Sequence, residues 1–261
     1  MNLSISNIAW ASELDADVYK MMRCYGYSGL EIAPTRIFPQ NPYEDLKNAN
    51  SWAKSLKKRE GFQISSMQSI WFGRTEKLFG TKEERNRLTD YTKRAIDFAV
   101  AIGCGNLVFG CPKNRIFLED ANSEDGITFF KEIGDYAYSK GTTIGMEANP
   151  AIYGTNYIND TASAIELIKS VDSKGFLLNL DVGTMIVNAE SVNLLKGNIG
   201  FVNHVHISEP HLKPLEERAL HKEIAEYMKE NDYQGYISIE MGQQDSMHIL
   251  EKCLSYIKEI F

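Results

Sequence analysis

Asn203-His204-Val205-His206-Ile207-Ser208-Glu209-Pro210 is a mostly apolar run with histidines at alternate positions and a proline stop. Read as a strand over Phe201–Ile207, it puts Val202, His204, His206 and Ser208 on one face and Asn203, Val205 and Ile207 on the other, because strand side chains alternate. Two of the five histidines then share a face. A lone histidine at a strand end is commonly just a hydrogen-bonded core residue. Here three more apolar runs in the same half of the chain end on a carboxylate: Thr142–Glu147, Phe176–Asp181 and Tyr236–Glu240. The same period pairs Gly145 with Glu147, Asn179 with Asp181 and Ser238 with Glu240. Four strands thus finish in one histidine and three acids.

Outward from this stretch the chain alternates short apolar runs with helical patterns. Leu3–Ala9, Gly29–Ala33, Phe62–Gln68 and Asn106–Phe109 read as the first four strands. Between and after them, Leu14–Tyr25, Tyr43–Glu60, Glu83–Ile102 and Glu124–Lys140 carry helical spacing, the last three stopped by Gly61, Gly103 and Gly141. The second half repeats the rhythm with helices expected at Asn159–Val171, near Ala189–Lys196, over Pro214–Asn231 and over Asp245–Ile260. Eight strand-helix units in 261 residues, with no linker or composition break, call for a parallel sheet with right-handed crossovers. That is the count of a closed (β/α)8 TIM barrel in one domain spanning residues 1–261. A doubly wound open sheet is the alternative, but no Gly-x-Gly-x-x-Gly follows the first strand. The barrel also explains why the four polar residues all stand at carboxyl ends of strands, where barrel enzymes place their chemistry.

The net charge of −7 disfavours a nucleic-acid partner, whose affinity rests on neutralising phosphates. No apolar window is long enough for a membrane span. Cys24, Cys104, Cys111 and Cys253 are scattered, without zinc-knuckle or disulfide-framework spacing. They read as reduced thiols, and the acidic, unflanked N-terminus lacks secretory-signal character; a cytoplasmic protein acting on a small molecule is expected.

Three carboxylates converging in a partly buried mouth repel one another, and desolvation penalises each ionised form. Either some are protonated or a cation sits among them. A divalent ion held by Glu147, Asp181, His206 and Glu240 would reduce the local charge from minus three to minus one. Three oxygens and one imidazole nitrogen suit Mn2+, Mg2+ or Co2+, with Zn2+ as a further option.

Glu, Asp, His and Glu at the ends of strands five to eight, with the histidine inside His204-Val205-His206-Ile207, resemble the xylose-isomerase-like superfamily of sugar isomerases and epimerases. The likeness spans nearly the whole chain as topology and is specific at those four strand ends. In the ketose 3-epimerase branch the second histidine of such a pair is the ligand, which implies His206 and leaves His204 in the layer below. The resemblance also implies that Glu147 and Glu240 act as acid and base while binding one ion per chain. Such a protein would remove the proton beside a sugar carbonyl through a metal-stabilised enediolate. Return to the opposite face is epimerisation, and return to the neighbouring carbon is isomerisation. Barrels of this kind often pair, so a homodimer is compatible.

This chain departs from the 3-epimerase pattern where substrate would bind. Tyr153 stands six residues beyond the first ligand in place of a glutamate, Thr184 three beyond the aspartate in place of a histidine, and Leu212 six beyond His206 in place of an arginine. The candidate substrate contacts are therefore Tyr153 itself, the inward Glu31, Trp10 and Trp71 on rim loops beside Phe38 and Phe72, and Arg115 and His211 for an anionic tail, beside Lys113 and Lys213. His221 and His248 take no assigned role. Three other functions share the barrel. A lyase resembling inosose dehydratase begins with the same proton abstraction. An apurinic-endonuclease-like phosphodiesterase would draw histidines from earlier strands, and none precedes His204. A barrel that binds sugar without turnover would not require an acid-base pair.

Overall fold

Eight short strands carry apolar residues outward and small or polar residues inward, and that alternation sets the architecture. The computed structural model describes residues 1–261. Its strands are β1 (Asn2–Ser6), β2 (Gly29–Ile32), β3 (Gln63–Met67), β4 (Leu107–Phe109), β5 (Ile144–Met146), β6 (Phe176–Asp181), β7 (Val202–Ser208) and β8 (Tyr236–Glu240). They pair in parallel, each with the next, and β8 closes on β1 to complete a TIM barrel. Helices α1 (Asp15–Cys24), α2 (Pro34–Ile37), α3 (Leu46–Glu60), α4 (Lys82–Ile102), α5 (Ser123–Lys140), α6 (Thr161–Val171), α7 (Val182–Val187), α8 (Ala219–Glu230) and α9 (Met247–Ile260) fall between the strands and after the last. None is long and apolar enough to cross a membrane.

Local chemistry explains the helix bounds. Thr81 and Glu84 form a reciprocal capping box at the start of α4, and Gly103 ends it in a left-handed conformation. Asp160 caps α6 by accepting from Ser163 N at 2.7 Å. Pro34 opens the unexpected α2 at its first position, where a missing N–H costs nothing. The helix expected near Ala189–Lys196 is instead α7, which starts immediately after Asp181, followed by a 3-10 turn at Val192–Leu195. The one expected over Pro214–Asn231 begins only at Ala219. Before it, Arg218 bonds the buried Glu209 carboxylate at 2.6 and 2.7 Å and holds the preceding segment out of helix.

The main apolar core lies between the barrel wall and the helices. Phe109 of β4 meets Trp71 edge-on at 4.6 Å and Phe130 of α5 at 5.0 Å, and Phe130 stacks on Phe176 at 4.8 Å. Each fully buried ring of this kind contributes about 2 kcal/mol or more by removal from water, before its pairwise geometry adds to it.

The inside of the barrel is polar. Ser4 bonds Ser65 at 2.6 Å, Gln68 donates to Ser6 at 2.7 Å, and Asn106 donates to Ser66 at 2.9 Å. Asn203 departs from strict alternation. A register shift between β6 and β7 pairs Leu178 with Val202 but Asn179 with His204. The extra residue is a bulge, and it turns Asn203 inward to donate to Asn106 Oδ1 at 2.8 Å.

Candidate active site

Strand register brings the four polar strand ends to one level. Asp181 pairs with His206 across β6 and β7, and Ser208 pairs with Glu240 across β7 and β8. Glu147 lies one residue beyond β5, its backbone held by Phe109 O at 3.1 Å. Ligand atoms of Glu147, Asp181, His206 and Glu240 all lie within 4.8 Å of one another. Donors about 2.1 to 2.3 Å from one ion can be no more than roughly 4.6 Å apart, so this group is within a few tenths of an ångström of the size of a single coordination sphere. It also has the chemistry, since three like charges at low exposure need a cation or protons.

Each donor is braced. Nδ1 of His206 lies 3.0 Å from Glu147 Oε2 and 3.3 Å from Glu240 Oε2, while Nε2 faces Glu31 Oε2 at 2.8 Å. One edge of the ring therefore looks into the cluster and the other is anchored below it. Asp181 Oδ1 accepts from Thr184 N at 2.6 Å, and Oδ2 from Ser208 Oγ at 2.5 Å. Glu147 Oε2 accepts from Asn179 Nδ2 and Oε1 from Asn149 Nδ2, both at 2.9 Å. Asn149, Asn179, Thr184 and Ser208 were not singled out as site residues by sequence. For Asn179 and Ser208 the sequence carries a signal, since each shares the inward face of its strand with an acid or histidine two residues away.

Protonation in the cluster follows from burial and repulsion. Burial, reinforced by the Glu147 charge, pushes the Asp181 carboxyl up to about 6 despite His206 and the two hydroxyl donors. Burial likewise pushes Glu240 up to about 7, against the pull of His206. Burial opposes charging His206, yet the carboxylates of Glu31, Glu240 and Glu147 hold it well above the ordinary imidazole range. Burial works against Glu31 as a carboxylate too, but His206 and His204 keep it far below the usual range. For His204 burial dominates and lowers its affinity for a proton. Its Nε2 is 3.2 Å from Glu31 Oε2, but the ring is poorly aimed and that nitrogen lacks an aligned partner. Glu31 thus bonds His206 in preference to His204.

The other expected contacts divide. Tyr153 follows β5 on a 3-10 turn, and its hydroxyl accepts from His211 N at 2.9 Å, with the two rings 5.9 Å apart. Burial, joined by the charges of Asp181, Glu240 and Glu147, raises the Tyr153 phenol. Trp10 and Trp71 are not brought to the group. Trp10 is 1% exposed and donates to Asp15 at 2.7 Å, while Trp71 is 3% exposed and donates to Thr92 at 2.8 Å. A buried indole N–H needs a partner, and helical partners draw both rings into the packing instead of the rim. Phe38 packs edge-on against Trp52 and Phe98, leaving Phe72 as the exposed ring at 68%. Lys113, Lys213 and His211 are exposed. Arg115, expected to face a substrate anion, is fully buried and donates to Asn149 Oδ1 at 2.9 Å. A cavity of 790 Å3 lies off this centre, over the loops after β2 and β3, between Arg36, Tyr43, Phe72, Arg74 and Arg94.

Comparison with known proteins places this geometry. A family model for the xylose isomerase-like TIM barrel matches residues 20–260. An uncharacterized protein of Methanocaldococcus jannaschii is 32% identical over 150 residues, a match covering 52% of this chain and 50% of that protein. The chain thus spans half the length of that curated relative. Among solved structures, D-psicose 3-epimerase from Clostridium cellulolyticum superposes with a TM-score of 0.79 at 14% identity, over 100% of this chain and 99% of that one. The 3-keto-D-glucoside 4-epimerase of E. coli gives 0.77 at 18% identity, over 99% of each chain. At those identities the likeness is one of fold. Since the family match covers nearly all of the sequence, the chain belongs to the xylose isomerase-like TIM barrel family.

Proposed function

We propose that this chain is a divalent-metal-dependent epimerase or isomerase of a sugar or sugar phosphate, with one ion held by Glu147, Asp181, His206 and Glu240. The observation that carries the reading is the gathering of those four donors within 4.8 Å of one another. Mn2+, Mg2+ or Co2+ fits the oxygen-rich set best, and Zn2+ is compatible. The solved structures of similar fold include two sugar epimerases, which supports a carbohydrate substrate. Four unpaired thiols suit a reducing cytoplasm.

A bound ion would draw electron density from a substrate carbonyl and so ease loss of the proton from the adjacent carbon. Glu147 and Glu240 close β5 and β8, three strands apart around an eight-stranded ring. Their carboxylates therefore enter the mouth from nearly opposite walls, and a carbon lying between them presents one face to each. One glutamate accepts a proton as a carboxylate and the other delivers one as an acid, so the pair must begin in opposite protonation states. Tyr153, whose phenol keeps its proton, is a candidate O–H donor to substrate from the loop after β5. Thr184 stands where the 3-epimerase pattern places a histidine, and here it is engaged by Asp181. The substrate contacts of this protein accordingly differ from those of the 3-epimerases.

Ketoses, aldoses, their phosphates and inososes incubated in deuterated water and followed by proton NMR test the reading. At least one should exchange a carbon-bound proton and yield an epimer or isomer, and Glu240→Gln should stop the exchange while sugar still binds. Loss of water instead would assign a lyase, and full exchange in Glu240→Gln would remove that residue from the chemistry.

A further inference from the structure

Arg115 is a fully buried guanidinium with no acidic side chain paired to it. Its contacts are Asn149 Oδ1 at 2.9 Å, Ile158 O at 3.5 Å and Met146 Sδ at 3.7 Å, and its Nε has no partner at all. Burial lowers its proton affinity only to about 10, so at neutral pH it is a cation. A buried cation is costly unless an anion balances it. Its only bonded route to an anion here runs through Asn149, whose Nδ2 donates to Glu147 Oε1 at 2.9 Å.

We propose that Arg115 is a positioning residue which, through Asn149, fixes the Glu147 carboxylate for ion binding and supplies a permanent positive charge to the cluster. This rests on the ion-binding reading given above. With one of the two glutamates carrying the proton that the acid-base reading requires, a dication balances the other two acids of the cluster; the buried Glu31 carboxylate then adds minus one, and Arg115 brings the buried total to zero. The geometry supplies direction as well as charge. An amide side chain can turn either its oxygen or its nitrogen to a neighbour. Because the guanidinium claims Oδ1, Asn149 can only present Nδ2 to Glu147. Without Arg115 the amide is free to flip and put its oxygen against the carboxylate.

The surroundings hold the relay in place. Asn149 N donates to Ile158 O at 3.1 Å, and Asn149 O accepts from Asn159 at 2.8 Å. The segment just after Arg115 is clasped to the loop after β5, with Asn156 bonding both Phe117 N at 2.7 Å and Phe117 O at 2.8 Å. Gly110 completes the fit, since a Cβ there would come within 2.9 Å of Glu147 Oε1 and 3.3 Å of Asn149 Oδ1.

The test uses purified protein stripped with chelator and titrated with Co2+, whose d–d absorption reports both affinity and coordination geometry. Wild type should take up one ion per chain. Arg115→Met should bind 10- to 100-fold more weakly, the range for removing a group that orients a ligand, with an altered spectrum. Asn149→Ala should do the same with Arg115 intact, and adding Arg115→Met to it should cost less than Arg115→Met alone, because only the charge remains to be lost. Arg115→Lys should recover part of the affinity, since it keeps the charge without the fork. If wild type binds and both single variants bind equally tightly with an unchanged spectrum, the relay is overturned and the ion site stands. Additive losses in the double variant would also overturn it. If wild type binds no ion, both readings fall.

Discussion

Glu31 Oε2 sits 2.8 Å from His206 Nε2, on the far side of the imidazole from the carboxylates. With Nε2 donating to Glu31, the Nδ1 lone pair is left for an ion beside Glu147 and Glu240. A carboxylate behind a histidine ligand sets the tautomer, fixes the ring and raises its basicity. Glu31→Gln keeps a hydrogen-bonding side chain of the same size and removes the charge. It is expected to weaken Mn2+ or Co2+ binding about 10- to 100-fold by titration, with the fold intact by circular dichroism. Affinity equal to wild type would show that His206 needs no such support.

How much of this could be read from sequence depends on what each residue's role requires. The barrel, His206 and the three acids were legible because strand periodicity and strand ends are local properties. The period of two puts Asn203 on the wrong face because a bulge depends on the neighbouring strand, which the local pattern does not contain. Arg115 reads as a solvated or substrate-facing charge because its burial is set by β5 and the loop after it, which are remote in sequence. Trp10 and Trp71 read as rim aromatics for a related reason, their partners Asp15 and Thr92 being brought to them by helices.

Asp181 offers a clean removal of one donor. Its Oδ1 also caps α7 through Thr184 N at 2.6 Å, and asparagine caps a helix about as well as aspartate. Asp181→Asn should therefore fold normally yet hold much less ion than the wild type's one per chain, measured by elemental analysis after gel filtration. His206→Ala should lose the ion as well. Full metal content in both variants would refute the site.

The floor beneath the cluster predicts a stability effect separate from ion binding. At Gly145 a Cβ would lie 2.6 Å from Asn106 Oδ1 and 3.1 Å from Asn179 Cβ. Both neighbours are buried and bonded, Asn106 to Ser66 and Asn179 to Glu147, so neither can swing aside. Overpacking of this kind costs about 1 to 3 kcal/mol. For a chain of this size that lowers Tm by roughly 2 to 10 °C. Calorimetry of Gly145→Ala in chelator should show the fall without any ion present, and an unchanged Tm would mean that the floor can yield.

Acidity should act on the metal-free and metal-loaded forms in opposite directions. Asp181 and Glu240 have folded-state values raised to about 6 and about 7, above their ordinary carboxylate values. A group raised on folding contributes stability that is present in full below its unfolded value and is lost as pH climbs through its folded value. The chelated protein should therefore lose Tm between about pH 4.5 and pH 7 from these two groups. An added ion competes with the same protons, so it should stabilise little at pH 5 and most near pH 8. Scanning Tm with and without Mn2+ over that window tests both halves, and Glu240→Gln should flatten the chelated curve because its side chain no longer titrates. A gap between the two curves that does not widen with pH would mean that the ion and the protons do not share these carboxylates.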